Sequence, residues 1–270
     1  MSAPGLERWR GRWAVVTGAS SGLGQALAHG LGSAGMHLVL CGRDPQRLQE
    51  TALAIEQQSK VQCRTVRLDL SRPDACDRLL AECEPLDVRV LVAAAGFGSS
   101  GPLLDQPLRE QLEQVQVNCA SVLHLAHAFG RCFRAQGDGA LLLFSSIVAF
   151  QGVPGSTTYA ASKAFVQSLA EGLAAELAGS GVGVLAAAPG PVATRFGARA
   201  GLGMAGAAEP EALVDPLLRA LGRSGTVRPG ALSKLLGYSL AMLPRPLRVR
   251  LMQRIMGGMI AAGRPAGVQS

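Results

Sequence analysis

Aromatic residues are scarce in this chain, at 4% of 270 positions against an apolar share of 48%, so its core has to be aliphatic, built from Ala, Val and Leu. Lysine is scarcer still: of 26 Lys+Arg, only Lys60, Lys163 and Lys234 are lysines, and the tyrosines are Tyr159 and Tyr238 alone. No apolar run approaches the roughly 20 residues needed to cross a bilayer. Met1 to Gly11 carries charge without an apolar segment, so a secretory leader is not expected either. The six cysteines, Cys41, Cys63, Cys76, Cys83, Cys119 and Cys132, form no C-x-x-C pair and have no histidines at ligand spacing. That argues against a metal site and for reduced thiols in the cytoplasm, about half of them lining the core. Acidic residues stop at Asp215: residues 1–215 hold 17 basic against 19 acidic side chains, and nine basic but no acidic ones follow. The net charge of +7 therefore belongs to the tail.

What the chain does have is alternation. Trp13 to Thr17 reads as a buried strand that runs into Gly18-Ala19-Ser20-Ser21-Gly22-Leu23-Gly24 and then a helical pattern from Gln25 to Ala34. A strand, a glycine-rich turn and a helix amino terminus make a phosphate site, because the backbone can approach a diphosphate and the helix dipole favours its charge. The second strand, His37 to Cys41, ends in Gly42-Arg43-Asp44, where a dinucleotide fold selects its cofactor. A cation there accommodates a 2′-phosphate, so Arg43 favours NADP(H), while Asp44, as a helix cap or a ribose ligand, leaves NAD(H) open. Strand Gln62 to Leu68 with Asp69 at its end, helix Asp74 to Cys83, strand Val88 to Ala93, a long helix Leu108 to Arg134 and strand Ala140 to Ser145 continue the series. Such repeats predict an α/β fold, a single-domain doubly wound parallel sheet of about seven strands of the Rossmann type, with ligands at the carboxyl ends.

Between Leu141 and Leu177 a strand ends in Ser145-Ser146 and a helix opens near Tyr159. Tyr159 and Lys163 are four apart, on one helix face. An ammonium beside a phenol favours the phenolate and would pull the tyrosine below its ordinary pKa toward the range of an acid/base catalyst. Further on, strand Val182 to Ala188 exits through Pro189-Gly190-Pro191-Val192-Ala193-Thr194. Phe196 to Ala208, mostly Gly and Ala with Met204, is too poor in bulk to form a packed helix alone and is expected to be a mobile lid. Helix Pro210 to Leu221 and a last strand near Thr226 to Arg228 close the sheet.

Taken together, Thr17-Gly18-x-x-x-Gly22-x-Gly24, Asp69-Leu70, Ala95-Gly96, Asn118, Ser146, Tyr159-x-x-x-Lys163 and Pro189-Gly190 with Thr194 resemble the classical short-chain dehydrogenase/reductase family over roughly residues 10 to 230. The resemblance implies an NAD(P)(H)-dependent oxidoreductase. In it Tyr159 would be the general acid or base, Lys163 would lower its pKa and bind the nicotinamide ribose, Ser146 would orient the carbonyl, and Asn118 would support a water-linked proton path. Ser20, Ser21 and Leu23 would belong to the phosphate loop. Thr194 and the backbone of Val192 would hold the carboxamide, Asp69 and Leu70 would flank the adenine, and Arg43 would bind the 2′-phosphate. One departure is that Ala93-Ala94 precede Ala95-Gly96 where the family usually has asparagine, which puts a cross-link between sheet and loop in doubt. Family members are usually dimers or tetramers, with the Leu108 and Tyr159 helices often buried between subunits.

Residues 231–270 are expected to form a helical extension on the 1–230 catalytic domain. Leu232, Leu235, Leu236, Leu240, Met242 and Leu243, then Leu247, Val249, Leu251, Ile255, Met256 and Met259, make two apolar stretches broken by Pro244 and Pro246, with Arg245, Arg248, Arg250 and Arg254 on the second. Three uses are open for it: packing with a solvated basic face, walling an apolar substrate pocket, or touching a membrane surface or an anionic acyl carrier. Nucleic acid is not expected, because no aromatic residue other than Tyr238 interleaves the arginines. The reading is a cytoplasmic NADPH-dependent reductase of a ketone on a fairly apolar, acyl or lipid-like substrate, or the reverse alcohol oxidation. The alternatives are a nucleotide-sensing or scaffold protein that keeps the fold without turnover, and a membrane-surface protein acting through its tail.

Overall fold

A computed structural model describes residues 5–204, 206–230, 233–235, 237, 240 and 242–263. The expected tail contributions of Leu232, Leu236 and Tyr238 lie outside these described residues, as do Met1 to Pro4, Ala231 and Arg264. Seven parallel strands, β1 (Trp13–Thr17), β2 (His37–Gly42), β3 (Cys63–Arg67), β4 (Val88–Ala93), β5 (Gly139–Phe144), β6 (Val182–Ala187) and β7 (Gly225–Val227), form one sheet in the order β3-β2-β1-β4-β5-β6-β7. Boundaries differ from the sequence expectation by a residue or two. The order reverses between β1 and β4, and a doubly wound sheet opens its ligand crevice at such a reversal.

Helices cover both faces. On one face α1 (Gly22–Ser33), α2 (Pro45–Ser59) and α8 (Pro210–Ala220) bury Leu27, Leu31, Leu48, Ile55 and Leu217 against Ala14, Val16, Leu38 and Leu142. On the other, α3 (Ala75–Cys83), α5 (Ser121–Gln136) and α6 (Thr157–Glu176) cover Val15, Val39, Leu91, Leu141 and Val184 with Leu79, Phe129, Phe133 and Val166. Alternate residues of β1 thus face opposite layers, and the strand is buried throughout, the aliphatic two-sided core that the composition implies. Four of the six cysteines are buried, and all six are free thiols.

The expected long helix from Leu108 to Arg134 is interrupted. It consists of α4 (Leu108–Val115), one π-helical turn from Gln116 to Ala120, and α5. The inserted turn turns Asn118 fully inward, at 0% exposure. A second difference concerns the lid: Arg195 to Ala200 is a short helix, α7, capped by Thr194, whose Oγ1 accepts from the Phe196 amide at 3.3 Å. Beyond it Ala208 returns to bridge Val192. At the far end α9 (Arg245–Gly263) buries Met252 and Met256 in a third, smaller core with Ile147, Val148, Val153, Ala160 and Leu240. Among the described residues no helix is long and apolar enough to cross a membrane.

Candidate active site

A single cavity of about 740 Å³ runs from the loop after β1, past the ends of β4 and β5, to α9. That is toward the upper end of the roughly 300–1,000 Å³ usual for ligand sites. Its inner wall is a cradle built by missing side chains. Gly18 has φ of +70°, and a Cβ on it would lie 2.9 Å from the Ala95 nitrogen. A Cβ on Gly24 would overlap the Gly18 carbonyl, and one on Gly22 would lie 2.9 Å from Cγ2 of Thr194. Ser21 makes no side-chain cap to α1, and the first turn of that helix holds no acidic residue. Its amide groups and dipole therefore remain available to an anion beside Ser20, Ser21 and Leu23, which all line the cavity. A backbone cradle closed to any Cβ, with a free helix amino terminus, fits the diphosphate of a dinucleotide.

At the adenosine end, Arg43 stands exposed on the cavity wall with Asp69 and Leu70. Asp44 is occupied: its Oδ1 accepts from the Arg47 amide at 3.2 Å, and its other oxygen lies 3.2 Å from Arg47 Nε. The carboxylate that left the cofactor choice open thus serves as the cap of α2. Burial pushes Asp69 up, but bonds from the Ser71 amide and hydroxyl at 3.0 and 2.9 Å and the Arg43 and Arg199 charges hold it below the usual carboxylate range.

The middle of the cavity brings together Ser146 at the end of β5 and Tyr159 and Lys163 on α6. Lys163 is 6% exposed, and its Nζ donates to the Phe144 carbonyl at 2.8 Å, 5.6 Å from the centre of the Tyr159 ring. Burial lowers its pKa to about 8, against a smaller upward effect of Cys119. Tyr159, under Phe196 of α7 with ring centres 5.0 Å apart, is pushed up to about 12 by burial, with a hydrogen bond to Ser146 acting in the other direction. The expectation that the phenol lies below its ordinary pKa is therefore corrected: burial of the phenolate dominates, and the Lys163 ammonium is directed at the strand carbonyl.

Asn118 does not point into the cavity. Its Nδ2 donates to the Phe97 carbonyl at 2.8 Å and to Ser162 Oγ at 3.0 Å, and its Oδ1 accepts from the Phe97 amide at 3.1 Å. Together with Thr17, whose Oγ1 accepts from the Ala95 amide at 3.1 Å, it ties the loop after β4 to the sheet. The cross-link that Ala93 and Ala94 put in doubt is made from β1 and the π turn instead. Gly96 is wedged in this arrangement, since a Cβ there would lie 3.1 Å from Asn118 Oδ1 and 3.5 Å from Lys163 Nζ. Pro189, Gly190, Val192 and Thr194 also line the cavity. The Gly190 amide donates to Ser233 Oγ at 2.7 Å, a contact from the extension that no sequence motif announces.

A family model described as short chain dehydrogenase matches residues 12–203. The chain belongs to the short chain dehydrogenase family. This short chain dehydrogenase is 32% identical over 174 residues to a 7beta-hydroxysteroid dehydrogenase of Collinsella aerofaciens, covering 64% of this chain and 66% of the relative. A solved structure concerned with 7beta-hydroxysteroid dehydrogenase stereoselectivity superposes with a TM-score of 0.83 at 28% identity, over 92% of this chain and 98% of that one. A short-chain dehydrogenase from Sphingobium yanoikuyae, in complex with NADPH, gives 0.72 at 28% identity over 96% and 98%. The enzyme's outer cavity wall was open in the sequence only as one of three uses of the tail and as a lid over Phe196 to Ala208, and Ile147, Val148 and Met252 were not singled out. Ile147 and Val148 after β5, Leu202 and Met204 after α7, and Met252, Met256 and Met259 of α9 line it, and Arg199 of α7 places its guanidinium 3.9 Å over the Phe97 ring. Nothing but helical apolar spacing could have singled them out, and that spacing equally describes ordinary core.

Proposed function

We propose that this oxidoreductase transfers hydride between NADP(H) and a ketone, or the matching secondary alcohol, on a bulky apolar substrate of the steroid or lipid-like class. The observation that carries the reading is the position of Ser146 and Tyr159 at the meeting point of two unlike halves of one cavity: a diphosphate cradle on one side and a wall of Ile, Leu and Met on the other. Arg43 would hold the 2′-phosphate of NADPH, the loop after β1 and the start of α1 would hold its diphosphate, and the bound cofactor would supply the hydride.

Protonated Tyr159, with its pKa near 12, gives its proton to the carbonyl oxygen as negative charge develops there. Ser146 Oγ–H holds that oxygen in line. Lys163, charged below about pH 8, stabilises the phenolate left behind and reaches the nicotinamide ribose. Asn118 fixes the loop that carries Gly96 and Phe97, and through the π turn its main chain offers a site for the water that relays the returning proton. Residues 1–230 form the catalytic domain in this reading, and the extension completes the substrate half through Leu240 and α9. Leu108, Leu112, Val115 and Phe165, exposed on α4 and α6, suit burial between subunits of a homo-oligomer. The free thiols suit a reducing cytoplasm.

The test is NADPH consumption across steroid ketones, 3-oxoacyl thioesters and small polar ketoses. Turnover of the bulky apolar ketones is the expected result. Tight NADPH binding with no consumption on any of them would leave a nucleotide-binding protein without catalysis. Arg43→Ala should weaken NADPH binding about 30-fold and NADH binding little, as expected for one lost charge-assisted phosphate contact. Equal losses would place the 2′-phosphate elsewhere.

A further inference from the structure

The outward face of α9 carries a pattern of which the cavity uses only Ile255. Leu247, Leu251 and Ile255 recur every fourth residue and stand 47%, 37% and 38% exposed, and Met242, just before the helix, is 86% exposed. Residues four apart share a helix face, and Arg250 and Arg254 lie three positions on from Leu247 and Leu251, so two exposed cations border the apolar stripe. Arg245 stands exposed at the helix start. No Asp or Glu occurs after Asp215 to neutralise them. The stripe is also continuous with the cavity, because Ile255 lines it while remaining exposed, next to Met252, Met256 and Met259.

We propose that this face docks on an anionic bilayer, with α9 lying in the plane of the interface and the apolar half of the cavity opening toward the lipid. Apolar side chains bordered by arginines match acyl chains below and phosphates around them, the two layers that an interfacial helix meets. A second copy of this chain matches the face poorly. A two-fold contact would set Arg250 and Arg254 against each other's copies, with no acidic residue of the tail to pair them. The docking extends the proposed function, since an apolar ketone concentrates in the bilayer. It is measured without substrate, so the two stand or fall separately.

Co-sedimentation of the full chain with vesicles tests it. Expected is binding to mixed phosphatidylglycerol and phosphatidylcholine vesicles at low salt, little binding to phosphatidylcholine alone, and weakening in high salt. Arg250→Glu with Arg254→Glu should lower the partition coefficient at least about 25-fold, because each surface cation near an anionic membrane is worth about fivefold. Leu247→Glu with Leu251→Glu should remove binding that survives high salt. NADPH titration by fluorescence and thermal melting show that each variant is folded; if the leucine pair is not, Leu251→Ser alone carries the test. Absence of binding to anionic vesicles at low salt, or unchanged binding of both double variants, overturns the proposal. So does a concentration-dependent dimer that the leucine variants dissolve, which would assign the face to a second copy, or binding to an acidic carrier protein but not to vesicles.

Discussion

The two halves of the cavity are held in different ways. In the inner half, between the ends of β1, β4 and β5, the wall is main chain and side chains locked by hydrogen bonds in it or directly behind it: Gly18 against Ala95 and Lys163 on the Phe144 carbonyl at the cavity, Thr17 on the Ala95 amide and Asn118 on both polar atoms of Phe97 behind it. In the outer half, between α7 and α9, the wall is Leu202, Met204, Met252, Ile255 and Met259, joined across by the bond from the Gly203 amide to the Met259 carbonyl at 2.8 Å. A bond network tolerates one residue type at each position, whereas a methionine wall accepts many shapes. On the proposed function, chemistry falls to the inner half and substrate choice to the outer, so substitutions in the two should separate kcat from KM.

The largest effect belongs to Tyr159→Phe. The ring and its contact with Phe196 survive, so NADPH affinity should change little while kcat falls about 10³-fold for loss of the proton donor. A residual rate within a few fold of the parent would remove Tyr159 from the chemistry. Lys163→Met comes next, with kcat lower by about 10²-fold and an opposite effect on stability. Its folded pKa of about 8 lies below the ordinary 10.5, so the unfolded chain binds more protons between those values, and stability rises with pH across that window. Below pH 8 the buried charge, net of its bond to the Phe144 carbonyl, opposes folding, so the variant should be more stable than the parent at pH 7, by at most about 3 kcal/mol. Denaturant melts of the parent should lose their slope between pH 8 and 10.5 in Lys163→Met. Reduction by the parent should decline above about pH 8 as Lys163 loses its charge, well before Tyr159 titrates near 12.

The same division explains what was legible in the sequence. Glycines and hydrogen-bonded polar residues leave fixed spacings, so the phosphate loop, Ser146, Tyr159 and Lys163 converge in the structure as their order in the chain implied. The π turn at Gln116 to Ala120 was not legible, because one inserted residue leaves the apolar pattern on either side almost unchanged. Nor was the replacement for the missing asparagine, since Thr17 and Asn118 meet the same loop from segments 101 positions apart in the chain. The α7 lid misled for a different reason. Its small residues read as too weak for a helix, yet Gly197 is small because a Cβ there would overlap Met204, and the Thr194 cap supplies the start. Smallness there reflects close packing of the lid on itself.

The smallest effect sharpens the comparison most. Met259 lines the outer cavity but is only half-buried, and its contribution to the fold is the main-chain carbonyl that accepts from Gly203. Met259→Ala keeps that bond, so α7 and α9 should stay joined and the melting midpoint should hardly move. What changes is the apolar wall opposite the substrate. KM for a bulky apolar ketone should rise about tenfold, the usual worth of such a contact, while kcat and the KM of a small ketone stay within about twofold. A kcat loss shared by both ketones would mean that the outer wall positions Tyr159 as well as the substrate, and the two halves would then have to be treated as one mechanical unit.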